Sequence, residues 1–553
     1  MSSSTLPVLI SGAGPTGLFA ALILLRNGIS VRVVDKLPRQ HPGSRGPGLQ
    51  PRTYELFHQA GLHEIHRESR FLAPMRMYKP GTLETERDIV MVQPRTSTPH
   101  FPYADALLLG QHRSERIMME HIAEYGVHVE YNTGLGSFEQ DKDGVTVHLA
   151  KKDGDQEVSE TIRAQYLIGA DGARSVVRKQ LGCTFLGDTR SDVRMITGDI
   201  RLAGEGLDRE YWHSFGDASV SRVLLRPEHT IGDNEDGYQL IIRGEGVDFA
   251  KVIAGGQQAV YDLIQEHVPT KVEFRELIWF GEFMPNIRMA DKFGEGRVFI
   301  AGDAAHCHSP TGGQGLNSSV QDAFNLAWKL ALVFKRLSPP TLLYTYNTER
   351  IPIIAEMLNI TTAILNLSAV NNDRGFQRPD SLRMLGVNYR SSSIVYDELS
   401  PPESRAPVPA YGDAIEGDAP LIAGDRAPDA PGMRDVHDQG TEWRMFDIFK
   451  PTRHTVLVFA PWVEEARPVL AALAEKEPWK DAVRPVVVIP ASATVSAKLD
   501  GVLMLRDAEG YAYSGFRVVD GETRVVVVRP DGYVGAVVRG VEGMERYFKD
   551  IFL

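Results

Sequence analysis

A chain of 553 residues has room for about three domains, and its formal net charge of −12 offers no basic surplus to neutralise a nucleic-acid backbone. Its 43% hydrophobic and 24% charged residues are those of a globular protein, and no run approaches the ~18 apolar residues needed to span a bilayer. Two cysteines, Cys183 and Cys307, are too few for a disulfide framework. Met1–Thr5 lacks the basic and apolar stretches of a signal peptide, so a cytoplasmic location is expected.

The first predicted element is a strand over Leu6–Ser11, followed by Gly12-Ala13-Gly14-Pro15-Thr16-Gly17 and a helix through Leu25. Gly12 permits the tight turn, Gly14 lets backbone approach a phosphate, and Gly17 allows helix and strand to pack closely. The helix N-terminus, with roughly half a positive charge, then faces a pyrophosphate. A second strand, Ile29–Val34, ends in Asp35-Lys36, with the acid where a ribose hydroxyl is held.

A third strand, Tyr166–Ile168, leads into Gly169-Ala170-Asp171-Gly172-Ala173-Arg174, a turn with Arg174, Arg178 and Lys179 beside it. A fourth, Val298–Ala301, precedes Gly302-Asp303-Ala304-Ala305-His306. Pro310-Thr311-Gly312-Gly313-Gln314-Gly315-Leu316-Asn317 then turns into a helix over 318–336, with Val320, Phe324, Ala327, Trp328 and Ala331 at helical spacing. Asp303 is placed to bond a polyol, and the helix start can offer N–H groups to a flavin's pyrimidine oxygen. Trp328 reads as core. His306 and His308 bracket Cys307 without a further ligand set, so no metal site is expected.

Seven prolines between Pro401 and Pro431 give a linker composition. Beyond it, Thr455–Phe459, Glu464–Lys476 and Val486–Ile489 read as strand, helix and strand. Thr523–Val528 and Val534–Val538 form a hairpin signal, and Glu542–Ile551 a final helix.

Over residues 1–400 these motifs resemble the class A flavoprotein aromatic monooxygenases, the group of para-hydroxybenzoate and phenol hydroxylases. The Ser44–Thr53 segment (SRGPGLQPRT) and Gln111 in LLGQHRSE add to the resemblance. It implies an α/β fold: a Rossmann-like FAD-binding domain in two parts (1–184 and 285–400), a β-sheet substrate domain (185–284), a linker (401–435) and a thioredoxin-like α/β domain (436–553). That tail has no C-x-x-C, since Ala460-Pro461-Trp462 stands at the turn, so disulfide exchange is excluded. In the relatives such a tail packs on the core and contributes to a homodimer.

The resemblance implies non-covalent FAD held by the first glycine turn, Asp35, Lys36, Arg45, Gln111, Asp171, Asp303, Pro310, Gly313 and the Gly315–Leu316–Asn317 backbone. NADPH or NADH reduces it, O2 adds at C4a, and one oxygen passes to a phenolic or polyketide-like ring. Arg45, Pro310 and Tyr238 are the catalytic candidates, Pro310 because its carbonyl matches one lying against substrate. Tyr238, Arg222, Arg226, Trp212 and His213, on predicted strands of the substrate domain, are candidates to touch the ring. Phenol hydroxylases carry an aspartate just before the Gly-Leu-Gln step where this chain has Pro47, so the base is unassigned. Baeyer–Villiger insertion or oxidative decarboxylation on a related ring stays open. A halogenase fits poorly, because Trp279-Phe280-Gly281 is not W-x-W-x-I-P, and a non-catalytic flavin carrier would not need the intact Pro310–Asn317 turn.

Overall fold

The computed structural model describes residues 6–553 except 155, 218, 233–234, 370–377, 403–407, 415–416, 418, 439, 494–498 and 500. Met1–Thr5 and parts of the expected linker therefore lie outside the described residues.

The first sheet has a parallel centre. Leu6–Ser11 lies between Val31–Val34 and the end of Gln156–Gly169, which in turn pairs with Val298–Ile300. The register aligns Ser11 with Gly169 and Gly169 with Ile300. All three glycine signatures therefore leave the sheet at one level, from the carboxyl ends of adjacent parallel strands, where open α/β sheets bind ligands. Helices Pro15–Arg26 and Gly315–Phe334 cover it through Leu18–Leu24 and Val320–Leu332, nearly all fully buried.

A second, seven-stranded sheet roofs this edge, in the order 272–283, 195–204, 237–243, 221–227, 212–217, 75–78, 85–89. Its last two strands come from residues well before 185, so the roof is assembled from two separate stretches. Strand alternation gives it two faces. The outer one, with Ile196, Ile200, Val223, Leu225, Tyr238, Leu240 and Ile242, packs on helix Phe249–His267. The inner face falls into rows fixed by register: Trp279, Asp199, Gln239 and Arg226; then Gly281, Thr197, Ile241 and Leu224; then Phe283, Met195, Arg243 and Arg222.

The tail is an eight-stranded sheet centred on His454–Phe459, which runs parallel to Val483–Pro490 and antiparallel to Arg524–Val528. Helices Val463–Ala474 and Val541–Lys549 complete a thioredoxin-like layout. Tyr396–Asp397 and Met433–Asp435 join its edges, so the expected linker and the residues before it are partly woven into the domain. Buried ions join the tail to the core. Glu349 accepts from Lys329 at 2.7 Å and from Arg529 at 2.7 and 2.9 Å, and Arg529 also reaches Asp531 at 2.7 Å. Glu55 binds Arg52 at 2.7 Å and Arg426 at 2.6 Å. Among the described residues no helix is long and apolar enough to cross a membrane.

Candidate active site

The first glycine turn is built for a phosphate. Gly12 has φ +110°, and a Cβ there would lie 2.1 Å from the Ala170 carbonyl oxygen. One on Gly17 would lie 2.0 Å from the Gly12 carbonyl oxygen, so these glycines are required by backbone contact. Gly14 faces open space, and no side chain caps the helix it begins, leaving first-turn N–H groups for an anion. Asp35 secures the turn by accepting from Ala13 N at 2.8 Å and Leu37 N at 2.8 Å.

Opposite this turn, Arg45 sits at φ +43°, an uncommon conformation for a non-glycine residue. The roof sheet holds it there. Gln239 Nε2 donates to the Arg45 carbonyl at 2.7 Å, and Asp199 accepts from Ser44 N at 2.5 Å and from Trp279 Nε1 at 2.6 Å. Burial pushes the Asp199 carboxyl up, against those two donors. Arg226 donates to Gln239 Oε1, and burial pushes its guanidinium pKa down. On the other side Gln111 N donates to the Ser44 carbonyl at 3.0 Å, while its side chain donates to Glu115 at 2.8 Å.

The third signature lies across the gap. Asp303 is exposed in the short turn Gly302–Ala304. Pro310–Gly312 forms a second such turn, capped by Ser309, and Gly313 at φ +60° leads into helix Gly315–Phe334, which again lacks a side-chain cap. Asn317 braces this turn instead of reaching outward. Its Oδ1 accepts from Gln50 N at 2.8 Å, and its Nδ2 donates to Gly48 O at 2.8 Å and Gly313 O at 2.7 Å. His308 Nδ1 donates to Ser309 O at 2.7 Å, burial pushes the ring's pKa down, and Nε2 lies beside Gly315. Cys307 also lines the gap, its thiol pushed up to about 12 by burial and by Asp303.

These surfaces enclose one cavity of about 760 Å³. Gly14, Pro15, Thr16, Arg45, Gln111, Asp303, Pro310, Gly313, Gly315 and Leu316 line it, together with Trp212 and Arg226. Other candidates lie elsewhere. Asp171 Oδ2 accepts from Val176 N at 2.7 Å and Val177 N at 3.3 Å, capping a helix, while its buried Oδ1 has no partner. Lys36, like Gly12, Gly17 and Asp35, is not among the cavity-lining residues.

Two expected ring contacts are corrected. Tyr238 faces the helix side of the roof, donating to Leu207 O at 2.8 Å, and His213 is buried between Tyr78 Oη and Asp208 O, each at 2.8 Å. Arg222 is on the inner face but in its third row, outside the lining set. Sequence reasoning missed Gln239, Asp199, Thr197, Ile241, Met195 and Phe283. The alternation over 237–243 separated two faces without saying which one looks inward.

Uncapped helix ends at both glycine turns and the open side of Gly14 fit an FAD laid across the strand ends. Fold and site together define an FAD-dependent flavoprotein whose isoalloxazine would meet a roofed cavity. The FAD binding domain family matches residues 5–361, and the phenol hydroxylase C-terminal dimerisation domain family matches residues 455–553. A flavin-dependent monooxygenase of Mycobacteroides abscessus is 36% identical over 461 residues, 82% of this chain and 88% of the relative. Pentachlorophenol 4-monooxygenase of Sphingobium chlorophenolicum is 30% identical over 554 residues, 97% and 94% of the two chains. The solved structure of aklavinone-11 hydroxylase with FAD and aklavinone aligns over 100% of both chains, with TM-score 0.77 and 25% identity. The chain belongs to the FAD-dependent monooxygenase family of aromatic hydroxylases, and FAD is its cofactor.

Proposed function

We propose that the protein uses NADPH or NADH and O2 to hydroxylate a phenolic or polycyclic, polyketide-like ring lying between the flavin and the inner face of the roof. The supporting observation is the single cavity that runs from the Gly14 and Gly315 turns to Trp212, Thr197, Ile241, Met195 and Phe283. Bound flavin supplies the reduction and oxygen-transfer chemistry. The chain's residues do the rest. Thr16, Asp303 and the Gly315–Leu316 backbone hold the cofactor, and Arg45, pinned by Gln239, stands over it. Trp212, Ile241 and Phe283 make the ring side apolar and exclude water.

Arg226 supplies the activation that Pro47 cannot. Its guanidinium is buried, Nε has no partner, and among the described residues no carboxylate forms an ion pair with it. A cation in that setting stabilises a phenolate over a phenol, so a ring hydroxyl gives up its proton to solvent as the substrate enters and stays ionised beside Arg226 without a dedicated base. The related chains carry names of enzymes acting on pentachlorophenol and on anhydrotetracycline, which supports a ring substrate here. The match of the tail to a dimerisation family supports a homodimer.

The test is NADPH and NADH oxidation against phenols, quinones and aromatic polyketides, with hydrogen peroxide and product both quantified. A compound that accelerates oxidation and returns with one added oxygen on an intact ring is expected. A ring-opened or ring-expanded product would place the enzyme among the inserting monooxygenases instead. No stimulation by any ring compound would overturn the reading.

A further inference from the structure

The third row of the inner face contains an arrangement that stability alone disfavours. Arg222 and Arg243 are direct cross-strand partners, so their side chains leave the same face from positions whose Cβ atoms lie about 5 Å apart. Like charges directly opposite one another are destabilising. Arg222 is buried and Arg243 half-buried, and Nη1 of Arg222 and Nε of Arg243 have no partner. Arg222 Nε donates only to the Gly216 carbonyl, at 3.3 Å. Asp217 and Glu86 pull on Arg222 from a distance and Arg87 repels it, yet among the described residues no acid forms an ion pair with either arginine. Burial and the neighbouring Arg222 push the Arg243 guanidinium down to about 10.

The cavity reaches this row at Met195 and Phe283, a cross-strand pair, although Arg222 and Arg243 are not themselves among the lining residues. Met195 stands one step beyond the Ile196–Ile242 pair, which places it beside Arg243. From Arg226 to Arg222 is four residues, about 13 Å at the ~3.3 Å rise of a strand. Between them lie Leu224, Ile241 and Thr197. The inner face thus reads cation, apolar span, cation pair.

Building on the aromatic-ring reading above, we infer that the Arg222–Arg243 pair binds an anionic group, a carboxylate in the first instance, at the end of the substrate remote from the oxidised ring. The favoured substrate class is then a polycyclic aromatic acid lying lengthwise along the sheet, its hydroxylated ring near Arg226 and its carboxylate between the two outer guanidinium groups. A charged acceptor there satisfies the orphaned N–H groups and cancels the repulsion that the free protein carries.

The experiment uses FAD-loaded enzyme and two probes of one shape, anthraquinone-2-carboxylic acid and its methyl ester, with binding read from the flavin absorbance change. The acid is expected to bind about tenfold or more tightly than the ester. Arg243→Met and Arg222→Met should each erase that preference while keeping ester affinity, and Arg243→Lys should keep part of it. Because the methionine variants remove like-charge repulsion, their Tm should be unchanged or higher, which a merely structural role would not produce. Equal affinity for acid and ester in the native enzyme would overturn the inference and leave the aromatic-ring reading standing. So would a methionine variant that weakens both probes alike, or one that raises KM for NADPH while the acid preference survives. Failure of both probes to bind would overturn the ring reading and this inference with it.

Discussion

The cavity and the junction between core and tail both bury arginines, and they treat them in opposite ways. At the junction every buried cation has its acid: Lys329 and Arg529 share Glu349, Arg529 also holds Asp531, and Arg52 and Arg426 share Glu55. In the roof, Arg226 and Arg222 are buried and Arg243 half-buried, with no ion pair among the described residues. Burying an unpaired cation costs stability, and burying a paired one costs much less. Paired sites thus fix two domains to each other, whereas unpaired sites keep a charge available for something that arrives later.

Removing the acid at the junction should give the largest effect. Burial alone would raise the Glu349 pKa, but Arg529 and Lys329 hold it well below the usual carboxylate range. Glu349→Gln leaves buried Lys329 without an acid and Arg529 with Asp531 alone, and should cost about 3–5 kcal/mol. The expected readout is a calorimetric transition for the tail that moves down and separates from that of the core. An unshifted single transition would erase the contrast between the two regions. A depressed pKa also fixes the sign of the pH effect. The stabilisation is present above the ordinary glutamate range, ~4.3, and is lost as pH falls below it. The acid limb of the native protein's stability should therefore be steeper than that of the variant.

On the cavity side, Asp303→Ala should act on cofactor retention rather than on folding, since the carboxylate is exposed and makes no contact that holds the turn. Losing a hydrogen bond to a charged group costs about 1.5–3 kcal/mol, so FAD affinity should fall roughly 10- to 100-fold while apoprotein Tm stays level. Titration of the apoprotein with FAD measures it. Unchanged affinity would remove Asp303 from the cofactor site.

The parts of this molecule legible in its sequence are the local ones. Each glycine signature follows its own strand and precedes its own helix or turn, so the phosphate turn, the Asp303 turn and the helix after Asn317 can be placed from neighbours alone. Trp328 also reads as core from helical spacing, and its ring is buried with Nε1 donating to Asp531 at 3.1 Å. The illegible parts depend on partners far along the chain. Lys329 and Arg52 look like solvated helix residues until Glu349 is found to reach Arg529 across 180 positions and Glu55 to reach Arg426 across 371. The roof hides its inner face for the same reason. Met75–Tyr78 and Thr85–Ile89 complete a sheet whose other strands begin at 195, and only that pairing and helix Phe249–His267 decide which side is covered.

The smallest predicted effect tests that facing directly. Tyr238 and Gln239 are adjacent on one strand, and a period of two puts them on opposite sides of the sheet. Tyr238→Phe removes one buried hydroxyl whose proton goes to the Leu207 carbonyl, so it should cost about 1 kcal/mol of stability and leave KM for the ring substrate and the flavin reduction rate unchanged. Gln239→Leu is nearly isosteric but frees the Arg45 carbonyl and the Arg226 guanidinium together. Arg45 then loses the bond that holds it at positive φ, and flavin reduction should slow in stopped flow. If the tyrosine variant were the one to alter KM or reduction, the two faces would be exchanged, and the arginine rows would point at the helix instead of at the substrate.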